Sequence, residues 1–511
     1  MNEPVKIVKN TAYLSIKMVI TLFISLYTTR LILDVLGVSD YGIYQLIIGI
    51  VALFGFLKDS LVQVTLRYLC YYKGKNDLAK QISVFNVSCV LHLIIALVLV
   101  TSLLLITDLL FGGFLNIPVE RLAVSRFVYY LMIATSVFTI ISIPYDSILN
   151  ANENMLYYSI VGVWEACLKL CLALFLYYVS IDKLFFYAIG LTIISILSLL
   201  IRQIYCHTNY IECKYSIISL DKSIFAQMVS YAGWNLLTTI SFLLTTNGTS
   251  IVLNKFFGTI VNAAQGIATQ VNGSLLQLSG NIMKAINPLL NISAGMEDPG
   301  KMLRLSYIGS KLSFLAFSLF CIPFIIETPF ILQKWLKDIP EWTIIFCQIL
   351  LFRTMFHQLI VFFSNSIYAS GKIKEYCILK SIANVSAVLA MIIFFIFDYP
   401  PYYAHISLLL FFEILGGIIV LVFCNRIFDL CISEYMNALF APCMSLLIIE
   451  LVVCSLINIV LDMGIMRLIT NIIVVLLLTI VISHKLILNA EEHLIVKKLT
   501  CSIKDKFHHN D

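Results

Sequence analysis

Apolar segments long enough to cross a lipid bilayer recur along this sequence from one end to the other. A transmembrane helix needs about 20 consecutive, mostly apolar residues. The sequence is 60% hydrophobic and 12% charged, whereas soluble domains have about 45–50% and about 25% of such residues. A soluble fold could not cover that much apolar surface, so the sequence predicts an all-α, polytopic membrane protein.

The apolar runs between polar segments predict about fourteen transmembrane helices. The first six lie roughly at 11–36, 41–68, 82–107, 122–149, 155–180 and 183–205. After a polar stretch at 207–222, six more lie roughly at 224–256, 261–291, 303–331, 341–369, 374–397 and 402–425. Two last helices lie near 436–461 and 465–488. We predict three parts: an N-terminal six-helix lobe (1–215), a C-terminal six-helix lobe (216–430), and two extra helices with a basic tail (431–511).

The distribution of positive charge predicts the orientation of these helices. With the N-terminus in the cytoplasm, the cytoplasmic loops and the tail carry about eighteen Lys and Arg residues, against about seven in the opposite loops. Both termini are therefore expected to be cytoplasmic. The apolar stretch from Ala12 to Leu36 is too long for a signal peptide, and no small-residue cleavage site follows it, so it is expected to remain as the first helix.

The two predicted six-helix lobes show a faint internal repeat. LDVLGVSDYG at 33–42 aligns with NKFFGTIVNA at 254–263, and DSILNANEN at 146–154 aligns with NSIYASGKI at 365–373. The superposed pairs are Gly37 with Gly258, Asp77 with Asp298, Lys80 with Lys301, Ser147 with Ser366, and Ile148 with Ile367. Because six helices per half preserve orientation, the halves are expected to be related by an axis along the membrane normal.

Charge and cysteine content exclude other classes. The net charge is only +5, which gives no indication of nucleic-acid binding. The 14 cysteines show neither CxxC pairs nor Cys/His metal spacing, and Cys167 and Cys171 are interpreted as packing residues. We expect no metal and no cofactor.

Three segments of the N-terminal third resemble bacterial polysaccharide flippases. They are LYTTRLILDVLGVSDYGIYQLIIGIVALFGFL at 26–57, QVTLRYL at 63–69 and IPYDSILNANENMLYYSIVGVWEACLKL at 143–170. These flippases share a superfamily with multidrug-and-toxin exporters and with the peptidoglycan-precursor flippase. The C-terminal half is similar only in hydropathy and number of spans.

The resemblance implies a fold and a substrate class. The fold would be two pseudo-symmetric six-helix lobes of the multidrug-exporter type around a central cavity, with two additional C-terminal helices, in the bacterial inner membrane. The substrate would be an oligosaccharide linked to undecaprenyl diphosphate, handled by a monomer among membrane lipids. A polysaccharide polymerase and chain-length machinery would be its protein partners.

Polar residues within the predicted helices are the candidates for a substrate site, because charge in a bilayer is costly. On the first helix Lys17, Thr21, Ser25 and Thr28 share one stripe, while Arg30 lies on another face. The second helix carries Lys58, the better candidate for the substrate. It also carries Asp59, Gln63 and Arg67 at four-residue steps, which could instead form an internal ion-pair relay.

The seventh and eighth helices are the most polar. On the eighth, one stripe holds Gln270, Ser274, Gln277, Asn281 and Lys284. Amide hydrogen bonds between helices are one interpretation, and a sugar-facing wall is the favoured one, since amides suit hydroxyl-rich ligands. Lys58 and Lys284, on the second helix of each half, are predicted to bind the diphosphate.

Other ionisable residues are predicted to pair or to couple transport to protons. Glu165 and Lys169, four residues apart, are expected to pair with each other. Arg353 and His357 have the same spacing on the tenth helix and could face the cavity, with Arg353 as a candidate for binding the substrate. Asp59, His357, Glu413 and Glu450 are the candidates for proton coupling.

Three functions compete on this evidence. The first is a flippase for lipid-linked O-antigen, capsule or exopolysaccharide units, favoured because the candidate lining is cationic and rich in amides. The second is a cation-driven multidrug exporter of the same fold, which would need buried carboxylates. The third is a membrane polysaccharide polymerase or ligase. The outward loops at 108–121 and 332–340 are too short for a catalytic site, so the protein is not expected to be an enzyme.

Overall fold

The computed structural model describes residues 3–52, 55–115, 117–215, 220–336 and 338–487. Within these ranges the chain consists of helices joined by short turns, and no strand occurs. Twelve of the helices are long and apolar enough to cross a membrane. The predicted all-α class is confirmed, and the chain is a multi-pass membrane protein.

The main helices follow the predicted spans. They are α1 (Glu3–Ala52), α2 (Gly55–Gly74), α3 (Leu78–Leu105), α4 (Leu122–Ala151), α5 (Met155–Phe175), α6 (Lys183–Asn209), α7 (Lys222–Gly295), α8 (Pro299–Trp335), α9 (Thr343–Ser370), α10 (Lys374–Ile396), α11 (Tyr403–Phe428), α12 (Ile432–Val460) and α13 (Ile465–Ile487). Helix α7, with 74 residues, contains both the seventh and the eighth predicted span. Helices α1 and α2 together contain the first two predicted spans.

Glycines interrupt α1 and α7, each of which extends from one predicted span into the next. Gly37 in α1 has φ 75° and ψ 168°, and Gly258 in α7 has φ 81° and ψ −169°. This backbone region is accessible essentially only to glycine. The two residues are superposed in the predicted repeat, so the repeat aligns positions with the same local conformation.

The loops after the second helix of each half also correspond. The Asp77 carboxylate accepts a hydrogen bond from the Lys80 backbone N–H at 3.0 Å, and Asp298 accepts one from the Lys301 N–H at 2.9 Å. Each acidic residue is the N-cap of the following helix. The two halves therefore begin their third helix with the same cap.

Alanine at either interrupting glycine is expected to destabilise the protein by about 1–3 kcal/mol, since an L side chain strains this backbone region. Gly37→Ala and Gly258→Ala should each lower the midpoint of thermal unfolding in detergent. Gly49→Ala and Gly266→Ala are matched controls in the same helices, where no atom lies within 4 Å of the added Cβ. If all four variants have the same midpoint of thermal unfolding, the interruptions do not depend on glycine.

The helices cluster into two compact units. The N-terminal unit is the described part of Asn10–Leu236, and the C-terminal unit joins the described parts of Met1–Lys9 and Leu237–Asp511. The core of the N-terminal unit is a continuous apolar cluster that includes Ile47, Val128 and Leu184, none of which is exposed. The three-part division at 215 and 430 stays a prediction.

A buried polar cluster attaches the C-terminal hairpin, formed by α12 and α13, to α8. Helix α8 departs from helical geometry at Glu327, which lies between Pro323 and Pro329. The unexposed Glu327 carboxylate accepts hydrogen bonds from Arg467 Nε and Nη2, both at 2.8 Å, and from Asn471 Nδ2 at 2.7 Å. The irregular turn of α8 is thus held by side chains of α13.

Candidate functional site

The N-terminal unit contains a cavity of about 610 Å³, here called the polar chamber. Helices α1, α4, α5 and α6 line it with hydroxyl, aromatic and charged side chains. The polar residues that line it include Lys17, Thr21, Ser25, Thr28, Thr139, Ser142, Asp146, Tyr158, Glu165, Lys169, Ser195, Ser198 and Arg202. The stripe predicted on the first helix, Lys17 to Thr28, thus lies on one side of this chamber.

Lys17 is positioned against the aromatic wall of α5. Its Nζ lies 4.1 Å from the centroid of the Tyr158 ring, within the range of a cation–π interaction. One turn further along α5, a Cβ at Gly162 would collide with the Lys17 side chain. Glycine at this position therefore allows the lysine to lie along the helix.

The remaining charges of the polar chamber form a chain of ion pairs. Arg202 Nε lies 2.8 Å from Asp146 Oδ1, and Arg202 Nη2 lies 3.5 Å from Glu165 Oε2. Lys169 Nζ donates to Glu165 Oε1 at 2.8 Å, which confirms the predicted pair. Ser198 donates to the other Glu165 oxygen at 3.1 Å. Glu165 thus bridges two cations on different helices.

Sequence reasoning missed part of this network. Asp146, Tyr158 and Arg202 were not among the predicted site residues, and Glu165 and Lys169 were expected only to pair. The signal was available, because ionisable residues inside transmembrane helices are rare and generally functional. What was missing was the knowledge that α4, α5 and α6 bring these charges together.

The C-terminal unit contains a smaller cavity of about 250 Å³, here called the acidic chamber after its buried carboxylate, Glu413. Glu413 is 4% exposed, and its Oε2 lies 3.1 Å from His357 Nδ1. Arg353 Nε lies 3.8 Å from Glu413 Oε1. The structure thus brings three separately predicted residues of α9 and α11 into one cluster.

Lys380, which was not predicted as a site residue, also lines the acidic chamber. Its Nζ donates to the Phe412 carbonyl at 3.2 Å and lies 4.8 Å from the centroid of the Phe412 ring. Phe412 belongs to a π-helical stretch, Leu408–Leu415. Such wide turns occur frequently at functional sites.

The second predicted coupling carboxylate lies elsewhere. Glu450 is unexposed and accepts a hydrogen bond from Thr479 at 2.7 Å, within the C-terminal hairpin. It does not line the acidic chamber. Its predicted role in coupling stays a prediction.

Five other predicted site residues, on α1 and α7, do not line either chamber. Arg30 is exposed on α1, and Gln270, Gln277 and Lys284 are exposed on α7, whereas Asn281 is buried. The side chains of Lys58 and Asp59 lie outside the described residues. The roles predicted for all of these side chains stay predictions.

Long apolar helices in two units, each with a polar cavity, are the architecture of a membrane transporter. Several solved structures share this fold. MATE in the bent conformation has a TM-score of 0.70 at 15% identity, covering 83% of this chain and 96% of that one. An outward-facing multidrug resistance MATE family transporter of the MOP superfamily has a TM-score of 0.69 at 14% identity, covering 84% and 96%. At this identity the likeness shows the fold alone.

The family is shown by the sequence itself. A model of the polysaccharide biosynthesis protein family matches residues 7–291, more than half of the chain, and the chain belongs to that family. A search of curated protein sequences finds no match. Family and fold together point to a transporter rather than an enzyme.

One further neighbour is relevant to the charge of the site. A MOP superfamily transporter from Pyrococcus furiosus has a TM-score of 0.67 at 14% identity, covering 85% of this chain and 97% of that one. Its structure is described as having a binding pocket of reverse polarity that suggests a different function.

Proposed function

We propose that this protein flips oligosaccharides linked to undecaprenyl diphosphate across the bacterial inner membrane by alternating access. The observation that carries the proposal is the excess of cationic over acidic groups in the polar chamber and around Glu413. The polar chamber has three cationic side chains and two carboxylates, namely Lys17, Lys169 and Arg202 with Asp146 and Glu165. Glu413 has Arg353, His357 and Lys380 around it. A diphosphate requires such cations inside a membrane protein.

The hydroxyl lining supports the sugar part of the substrate. Serine and threonine side chains from three helices, α1, α4 and α6, surround the polar chamber, together with several tyrosines. Hydroxyl groups both donate and accept hydrogen bonds, so they can contact a sugar in many orientations. Membership of the polysaccharide biosynthesis family agrees with this substrate class.

In this proposal the substrate units serve O-antigen, capsule or exopolysaccharide assembly. The protein works as a monomer with both termini in the cytoplasm, beside a polysaccharide polymerase and chain-length machinery. The loop charge asymmetry supports the orientation.

A cation-driven multidrug exporter is the second candidate. The carboxylates Asp146 and Glu165 in the polar chamber are groups that a cationic drug would need. Both carboxylates, however, already lie within 3.5 Å of Arg202. The flippase is favoured because the cations outnumber the carboxylates.

Reconstitution tests the proposal directly. In proteoliposomes, the protein should move undecaprenyl-diphosphate-linked oligosaccharide between leaflets much faster than protein-free vesicles do. The measurement is the fraction of labelled sugar accessible to an impermeant glycosidase over time. If the lipid-linked sugar stays in its leaflet while ethidium is transported, the protein is an exporter and the proposal is wrong.

A further inference from the structure

The polar chamber shares part of its wall with a second cavity of the N-terminal unit. This cavity, here called the apolar compartment, has a volume of about 400 Å³. Its walls include the largely buried side chains Val51, Leu99, Met132, Ile140, Leu191 and Ile194. Seven residues line both cavities, and Glu165 and Lys169 are among them. An ion pair therefore lies at the boundary between a polar space and an apolar one.

A ligand that occupies both cavities must combine an anionic group with an aliphatic chain. Each volume lies within the range of about 300–1,000 Å³ that is typical of small-molecule sites. At the boundary, Lys169 offers an ammonium group, and the Arg202 guanidinium lies 3.5 Å from the same Glu165 carboxylate. A single anion at this point could contact both cations.

A second observation is a buried hydroxyl group of the polar chamber that lacks a hydrogen-bond partner. The Thr28 hydroxyl is 93% buried, lines the polar chamber, and has no hydrogen-bond partner among the described residues. Buried hydroxyls in native proteins nearly always have one. A polar ligand in the chamber would supply it.

We infer that the N-terminal unit binds the junction between lipid and sugar in a prenyl diphosphate. The diphosphate contacts Lys169 and Arg202, the first isoprene units occupy the apolar compartment, and the first sugar lies among the hydroxyls of the polar chamber. This assignment rests on the proposed function, which supplies the substrate class.

Glu165 provides a means of release. In the empty site its carboxylate neutralises Lys169 and Arg202, and an arriving phosphate competes with it for both cations. Because Glu165 and Lys169 are partly exposed, with side chains 28% and 43% accessible, exchange does not leave a fully buried charge without a partner. When the phosphate leaves, the Glu165 carboxylate forms its ion pairs with both cations again. Removing the carboxylate should therefore strengthen binding, whereas removing a cation should weaken it.

The test is a binding measurement on the full-length protein in detergent, by isothermal titration. The probe is farnesyl diphosphate, and inorganic pyrophosphate and farnesol are its two partial analogues. Farnesyl diphosphate should bind at least about tenfold more tightly than either analogue, because only it fills both cavities. Lys169→Gln and Arg202→Gln should each weaken it about ten- to hundredfold, which is the usual effect of a hydrogen bond to a charged group.

Two further variants keep the test independent of folding. Glu165→Gln should bind farnesyl diphosphate more tightly than the wild type, a gain that misfolding cannot produce. Lys183→Gln removes the same charge from the same unit outside both cavities and should leave affinity unchanged.

Several outcomes would overturn the assignment. Equal affinity for pyrophosphate and farnesyl diphosphate would show a site for anions only. Unchanged affinity in Lys169→Gln and Arg202→Gln would place the ligand elsewhere, and weaker binding in Glu165→Gln would show that Glu165 only supports the structure. If any of these results is obtained and the wild type flips the substrate normally, the assigned site is wrong and the proposed function stands. Tight binding of farnesyl diphosphate by a protein that does not flip the lipid-linked oligosaccharide would keep the site and contradict the proposed function.

Discussion

Replacing Arg467 with methionine should lower the free energy of unfolding by about 3–5 kcal/mol, the usual cost of leaving one partner of a buried ion pair alone. The partner, Glu327, is unexposed and receives both guanidinium hydrogen bonds at 2.8 Å. The amides of Asn471 and Asn458 would remain as hydrogen-bond donors to it, and neither carries a charge. The loss should appear as a lower unfolding midpoint in detergent, with α8 and the C-terminal hairpin separating first.

A surface pair of the same chemistry provides the control. Arg426 Nη1 lies 2.7 Å from Glu375 Oε2, but the two side chains are 69% and 64% exposed. Exposed pairs contribute about 0–1 kcal/mol, so Arg426→Met should change stability little. The double variant Glu327→Gln, Arg467→Met should recover much of the loss, because no charge is then buried alone. Equal losses in Arg467→Met and Arg426→Met would contradict the role of burial.

Replacing Glu413 with glutamine should reduce transport at least about tenfold and abolish its response to a pH gradient. Glu413 is the buried carboxylate that His357, Arg353 and Lys380 surround from α9 and α10. A carboxylate among cations can take up and lose a proton only if the surrounding groups rearrange, and this couples protonation to helix movement. We therefore propose Glu413 and His357 as the coupling pair.

The measurement is flipping in proteoliposomes with an imposed pH gradient. Acid on the side that receives the substrate should accelerate the wild type and should not affect Glu413→Gln. The matched control is Glu450→Gln, which removes an equally buried carboxylate that contacts Thr479 of the hairpin instead. A gradient response retained in Glu413→Gln and lost in Glu450→Gln would assign coupling to the hairpin. The variant His357→Gln removes the partner of Glu413 and keeps the Glu413 charge. It therefore separates the effect on proton coupling from the effect that removing a buried charge has on stability.

The sequence by itself determined where the helices lie, because hydropathy over about 20 residues is a local property. Every predicted span is helical over most of its described residues. It also determined the stripe from Lys17 to Thr28, since helical periodicity places these side chains on one face. The internal repeat could be detected in the sequence for the same reason. A glycine such as Gly37 and an N-cap such as Asp77 determine only the conformation of the residues next to them.

Only the tertiary structure decided which charges meet. Arg202 reaches Asp146 and Glu165 on two other helices, and Glu327 reaches Arg467, 140 residues along the chain. Sequence periodicity specifies the face of a helix, but the neighbour that covers that face depends on how all the helices pack. For the same reason Glu413 and Glu450 were equivalent candidates in the sequence. Packing places Glu413 among cations in a chamber and Glu450 beside a threonine in the hairpin.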